Sequence, residues 1–301
     1  MFEESSFPQW LYDHLVPDDV FGAAYDDVPA MRRAWLKTAI ARLHTLHGSS
    51  GVSWGTSWRR DERQWRQGFT SIAEERPVEW CVVVLSRDHV SGPRLLAGLL
   101  PALLAGVADI LVVRVAEGGH AWHAPVLAAL ELAGQEAVVS LSPDMMTQLS
   151  EHMRTCGAGR FLLFGDEARQ MPCFYGWCGG AVQVWREPLL HDIAVAQEAG
   201  HAFETHGASD EERVDVEVLR WSHPDWSVVP VHAPDGDWER ALISAGDGQG
   251  FAAFAGPSRM VDIVPDSIPL MLGPGQEACW VWPGLPPAFF MQRRLSVLSG
   301  T

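Results

Sequence analysis

The stretch 80–115, WCVVVLSRDHVSGPRLLAGLLPALLAGVADILVVRV, decides the fold. Trp80–Leu85 is a β-rich run, Gly92–Leu104 is an apolar run of helical length closed by Gly106, and Ile110–Val115 is a second β-rich run. Strand, helix and strand in that order form a βαβ unit, whose right-handed crossover sets the two strands parallel in one sheet. The alternation continues with Ala121–Leu132 as a helix ended by Gly134, Ala137–Leu141 as a strand, Pro143–Thr155 as a helix and Phe161–Phe164 as a fourth strand. Residues 77–170 are therefore expected to build a parallel, doubly wound sheet, on which ligands sit beyond the carboxyl ends of the strands. The apolar run Leu95–Val113 approaches membrane-span length, but it contains Gly98, Pro101, Gly106 and Asp109 and reads as helix, turn and strand.

Working outward, residues 1–76 read as a mainly helical lead-in. Asp27 can cap a helix with Pro29 in its first turn, and Met31, Trp35, Ile40, Leu43 and Leu46 recur at helical spacing up to Gly48. This helix is expected to pack on the sheet and bury Trp35 and Leu43, while Gly48 to Arg66 reads as a loop or linker. Downstream, Ala181–Trp185 predicts a strand, Pro188–His206 a long helix, Ser227–His232 a strand, Trp238–Ser244 a helix and Gly250–Phe254 a strand. After Gly256 the density of proline and glycine predicts an extended, wrapping tail. The expected architecture is α/β: a helical segment (1–76), a nucleotide-binding-like domain (77–170), and a second doubly wound α/β lobe with its tail (171–301).

The balance of 22 Lys+Arg against 38 Asp+Glu gives a net charge of −16. Such a chain repels phosphate backbones and anionic lipid, so no nucleic acid and no membrane is expected as partner, leaving a small molecule or a protein. Lys37 is the only lysine and asparagine is absent, which removes Schiff-base lysine chemistry, the Walker A loop and the Tyr-Lys pair of short-chain dehydrogenases. Five cysteines without regular spacing, behind an acidic N-terminus, predict a reducing cytoplasm. The 14 tryptophans are scattered, as core and interface packing requires.

The turn after the first strand of the sheet carries the candidate cofactor-binding residues Asp88, His89, Ser91 and Gly92. It lacks a G-x-G-x-x-G fingerprint, but a helix N-terminus beyond a strand can still hold phosphate. Asp88 and His89 are either an acid/base pair or polar loop residues. His120 and His123, and likewise His44 and His47, stand three apart, a spacing that suits a shared metal or, near a helix C-terminus, the dipole alone. Cys173 and Cys178 have no neighbouring base and read as buried, unreactive thiols. Gln197 and His201 stand four apart on one face of the predicted long helix, with Glu198 and Glu204 close by.

The segment 100–113, LPALLAGVADILVV, followed by 125–134, PVLAALELAG, resembles the nucleotide-domain region of histidinol dehydrogenases. Asp192 through Gln197 to His201 looks like a stretched form of a helix in those enzymes, and the piece from Trp282-Pro-Gly-Leu-Pro-Pro to Leu295-Ser-Val-Leu298 is similar to a segment of theirs ending in Leu-Ser-Val. The resemblance spans roughly residues 80–298. It implies the aldehyde dehydrogenase and histidinol dehydrogenase fold, with two α/β lobes facing one cleft, NAD as cofactor, and Gln197 and His201 as zinc ligands. A homodimer is admitted on the same ground.

Several family features are missing. The family's Gly-Pro-Gly-Asn loop cannot exist without asparagine, its Gln and His are three apart and not four, and no Pro-Glu-His lies between Val231 and Gly256. The aldehyde dehydrogenase branch needs an Asn oxyanion hole, and its nucleophile would fall on Cys178 with only a faint match. The expected function is a divergent relative that has lost the parent chemistry and acts as a small-ligand-binding or assembly protein. An NAD(P)-dependent oxidoreductase of altered substrate specificity is the alternative. NAD is admitted as a cofactor, and bound zinc is not expected.

Overall fold

The computed structural model describes residues 5–48, 58–117, 121–177, 180–197, 213–233, 236–246 and 250–299. Helices α1 (Asp18–Asp27) and α2 (Ala30–Gly48) precede strands β1 (Arg59–Trp65) and β2 (Phe69–Pro77). The first lobe follows as β3 (Trp80–Leu85), α3 (Gly92–Ala105), β4 (Asp109–Val115), α4 (Ala124–Ala133), β5 (Val138–Leu141), α5 (Pro143–Met153), β6 (Gly159–Phe164), the single turn α6 (Asp166–Arg169) and β7 (Val182–Arg186). The second lobe holds β8 (Asp192–Ala196), α7 (Val216–Ser222), β9 (Ser227–Val231), α8 (Trp238–Ala245), β10 (Ala253–Ala255) and β11 (Met271–Leu272), and β12 (Met291–Ser299) follows.

The first sheet runs β5-β4-β3-β6-β7, all parallel. All six residues of β3 and of β6 are buried, as expected of central strands covered on both faces by helices. Local signals set the helix ends. Ser91 accepts a hydrogen bond from Arg94 N at 3.2 Å and Ser142 one from Met145 N at 3.3 Å, each with a proline in the first turn that follows. Gly106 (φ 82°) and Gly134 (φ 70°) close α3 and α4 in the left-handed conformation. The strands expected between 80 and 164 are present, and β7 joins the same sheet as its fifth member.

The second sheet, β11-β10-β8-β9, is also parallel. Its buried residues Ile193, Val195 and Ala253 share one continuous core with Val83, Leu99 and Val112 of the first lobe. The two-lobed α/β architecture read from the sequence is thus the one observed. A third, antiparallel sheet, β1-β2-β12, projects with few buried residues.

Three expectations are corrected. Pro188–His206 is not a helix throughout, because Asp192–Ala196 forms β8; its consecutive buried residues Ile193, Ala194 and Val195 are the continuous apolar run of a covered parallel strand, which periodicity alone does not separate from a helix. The segment Gly48 to Arg66 is not all loop, since Arg59–Trp65 is strand β1; both faces of that strand are solvated, so it carries no apolar alternation. On α2 the buried face is Leu36, Ala39, Leu43 and His47, which leaves Met31 (65%) and Leu46 (51%) exposed and Trp35 half-buried, edge-on to Trp221 with ring centres 5.4 Å apart.

Candidate functional site

All five strands of the first sheet point the same way, but the order in which they are added reverses at β3, which has β4 on one side and β6 on the other. The crevice beyond such a reversal is where open α/β sheets hold ligands. Here the two strand ends are drawn together: Ser86 N donates to Phe164 O at 2.9 Å, and Ser86 Oγ accepts from Ala168 N at 2.9 Å. Gly165 (φ 81°) leaves room for this, because a Cβ at that position would stand 2.5 Å from Ser86 Oγ.

The turn that follows is mostly interior. Asp88 is exposed. His89 is 5% exposed, its Nε2 lies 3.0 Å from Ser91 O, and burial, reinforced by the Arg94 charge, pushes its pKa down to about 3. Ser91 is fully buried; besides capping α3, its Oγ donates to Ser222 O at 2.5 Å and so ties the first turn of α3 to the end of α7. Gly92 is buried against α4, where a Cβ would meet Pro125 O at 2.7 Å.

Arg94, in the first turn of α3, is the centre of the arrangement. Its Nη1 lies 3.4 Å from Glu187 Oε1, its Nη2 contacts both carboxylate oxygens of Asp225, and its guanidinium lies 4.1 Å from the ring centre of Trp226. Glu187 also accepts from Gly165 N at 2.7 Å; burial pushes its carboxyl up, while Arg94 and that hydrogen bond oppose the rise. His223 is fully buried between Trp226 and Trp280, with neither ring nitrogen partnered among the described residues. Burial, with Arg94 and His89 adding to it, holds its pKa well below the usual imidazole range.

Beside this network opens a cavity of about 500 Å³ lined by Arg32, Asp88, Val90, His123, Pro125, Trp221, Pro224 and Asp225. It offers one guanidinium, two carboxylates and one imidazole over a floor of proline and tryptophan. His123 is held below its ordinary pKa, first by burial and then by Arg114, so the ring is a neutral proton acceptor at pH 7. The Arg32 guanidinium lies 5.6 Å from the ring centre of Trp221.

Of the candidate residues, the structure brings Asp88 to the cavity and sets His89, Ser91 and Gly92 in the wall behind it. A pyrophosphate at the N-terminus of α3 would need free N–H groups and an open approach. Instead Arg94 N is bonded to Ser91 Oγ, α7 covers Ser91, and α4 abuts Gly92, so the residues present do not fit a dinucleotide phosphate at that point. Gln197 follows the central strand β8 of the second sheet, its N–H donating to Val231 O at 2.9 Å, and is not on a helix. His201, Glu198, Glu204 and His206 lie outside the described residues, as do His120 and Cys178. Among the described residues no three His, Cys, Asp or Glu side chains are grouped as metal ligands.

Sequence reasoning missed Arg94, Glu187, Arg32 and Trp221. The one signal was Arg94 itself, a lone charge in an otherwise apolar helical run.

No protein-family model and no curated protein matches the sequence. Among solved structures, the chain is similar to histidinol dehydrogenase from Elizabethkingia anophelis, at 12% identity over 99% of this chain and 78% of that one, with a TM-score of 0.57. It is also similar to an NAD-dependent benzaldehyde dehydrogenase from Corynebacterium glutamicum (11% identity, 94% and 90% of the chains, TM-score 0.45) and to an indole-3-acetaldehyde dehydrogenase (12%, 94% and 84%, 0.45). The chain therefore has the two-lobed fold of the first enzyme in a strongly diverged sequence, which agrees with the resemblance read from its segments.

Proposed function

We propose that this protein is a small-ligand-binding relative of the histidinol dehydrogenase fold that has lost the parent chemistry. One observation carries the reading: the crevice at the sheet's reversal point is filled by the chain's own Arg94, Glu187 and Asp225, with α7 laid across the α3 N-terminus. Ligand binding then belongs to the adjoining cavity, where Arg32 meets an anionic group and Asp88 meets a cationic one. Small dipolar molecules fit that set of charges.

The experiment is calorimetric titration of the purified chain with NAD and NADP, joined to a histidinol oxidation assay. Neither binding nor turnover is expected, and a dissociation constant for NAD tighter than about 100 μM would sink the reading. Thermal-shift screening of small zwitterions supplies the positive arm, in which Arg32→Ala and Asp88→Asn abolish any shift produced by a hit.

An NAD(P)-dependent oxidoreductase of altered substrate specificity is the second reading, favoured by the neutral His123 facing Asp88 and Asp225 in the cavity. In either reading we assign the chain to the cytoplasm, supported by free thiols at Cys81, Cys156, Cys173 and Cys279. No described helix is long and apolar enough to cross a membrane. A homodimer is supported by the projecting sheet, which exposes Leu295 (69%), Val297 (63%) and Trp65 (44%).

A further inference from the structure

We propose a second binding site, for a protonated amine on an apolar or aromatic body, in the groove between the N-terminal segment and the carboxyl edge of the first sheet. The groove, about 880 Å³, lies beyond the ends of β4 and β5, opposite α1. Its shape follows from the way the chain enters. Leu15 bridges Val139 and Val16 N donates to Val138 O at 2.8 Å, so the entering segment lies antiparallel along the edge strand β5. Pro17 then turns it into α1, which packs on α4 and leaves the trough between them.

The floor is apolar and fixed. Val16 (8%), Ala24 (7%) and Leu127 (1%) form it, and alanines at 23, 116, 121 and 124 stand where larger side chains would close it. One wall is Trp122, whose indole is held in place by donating from Nε1 to Ser140 Oγ at 2.9 Å. A rigid indole beside an aliphatic floor suits a flat or branched apolar body.

The fixed charge at this groove is negative. Asp13 and Asp27 line it together with the imidazole of His14, no lysine or arginine does, and neither carboxylate has an ion pair among the described residues. Arg114, behind Trp122, donates to the carbonyls of Arg87 and Ala121. Asp27 is the last residue of α1 and stands three residues before the start of α2, so the dipoles of the two helix ends oppose one another there and its carboxylate remains a charge that lines the groove. Asp18 and Asp19 in the first turn of α1 add to a field that attracts cations and repels phosphate-bearing or carboxylate ligands.

The test compares 2-phenylethylamine with 3-phenylpropanoate, which share a ring and differ in the sign of the charge, by ligand-observed NMR titration of the full chain near pH 7. The amine is expected to bind about tenfold more tightly or better, and the Asp13→Asn, Asp27→Asn double variant should bring the two within about twofold. Ala23→Phe, at an exposed position lining the groove, should block the amine while moving Tm by less than about 2 °C. Equal affinities, no amine binding up to about 10 mM, or binding that survives both variants would overturn the proposal. Loss of amine binding in Asp88→Asn would move the ligand to the cavity beside Arg94 and also overturn it.

Discussion

Arg94 and Glu187, 93 residues apart in sequence, meet at 3.4 Å with their side chains 1% and 2% exposed. An ion pair this deep adds little net stability, because both desolvation costs are large, whereas breaking it strands a buried charge. Arg94→Met leaves Glu187 buried without its cation and should cost about 3–5 kcal/mol in urea unfolding. Adding Glu187→Gln should recover a substantial part of the loss. A single-variant cost below about 1 kcal/mol would mean that water reaches the carboxylate.

The two buried histidines set the acid response. His89 titrates near 3 and His223 well below 6.5 in the folded chain, whereas unfolding returns both to the ordinary value. As pH falls below about 6.5 the unfolded state binds more protons, so stability is lost by up to about 1.4 kcal/mol per pH unit for each histidine. His223→Phe keeps the aromatic packing and abandons nitrogens that have no partner among the described residues. It should flatten the slope of unfolding free energy as pH falls below about 6, by up to one proton's worth. An unchanged slope would show that His223 already exchanges its proton in the native state.

Gly159 opens β6 at a point where a Cβ would fall 2.0 Å from the Trp80 indole. Trp80 is fully buried and also packs on Phe161, so it has nowhere to move. Gly159→Ala should therefore destabilise the chain by about 1–3 kcal/mol or more, although alanine has the better strand propensity. Denaturant midpoints measure this directly, and a neutral result would place the indole elsewhere.

Leu295 and Val297 alternate with Arg294 and Ser296 along β12, so both point from the same face of the projecting sheet. If that face is the contact between copies, Leu295→Asp with Val297→Asp should convert a dimer to a monomer in light scattering at about micromolar concentration, with Tm of the lobes little changed. A wild-type monomer, or a dimer that survives both changes, removes the sheet from the interface.

Much of the first lobe was legible because its punctuation is local. Ser91 and Ser142 start helices, Gly106 and Gly134 end them, and the intervening runs have no competing period. β8 failed for the opposite reason: it is short, covered on both sides and embedded in a sequence that also satisfies a helix. The site was half legible. The turn 86–92 follows from the strand it leaves, whereas Asp225 reaches Arg94 across 131 residues, a proximity created by the docking of the second lobe and written in no local pattern.

β12 pairs with β2 from Met291↔Pro77 to Ser299↔Phe69, more than two hundred residues apart, while β1 pairs with β2 across a short turn. On a ribosome the β1–β2 ribbon emerges long before its third strand exists, and a two-stranded ribbon with no covered face is marginal in water. Until the lobes between them have folded and delivered Phe290 to Val78, whose N–H donates to the Phe290 carbonyl at 2.8 Å, the open edge of β2 stays a template for any passing strand. This sheet is thus completed only by a strand made more than two hundred residues after the one it pairs with, and nascent chains crowded on one message are the setting in which that edge is most exposed to a neighbour.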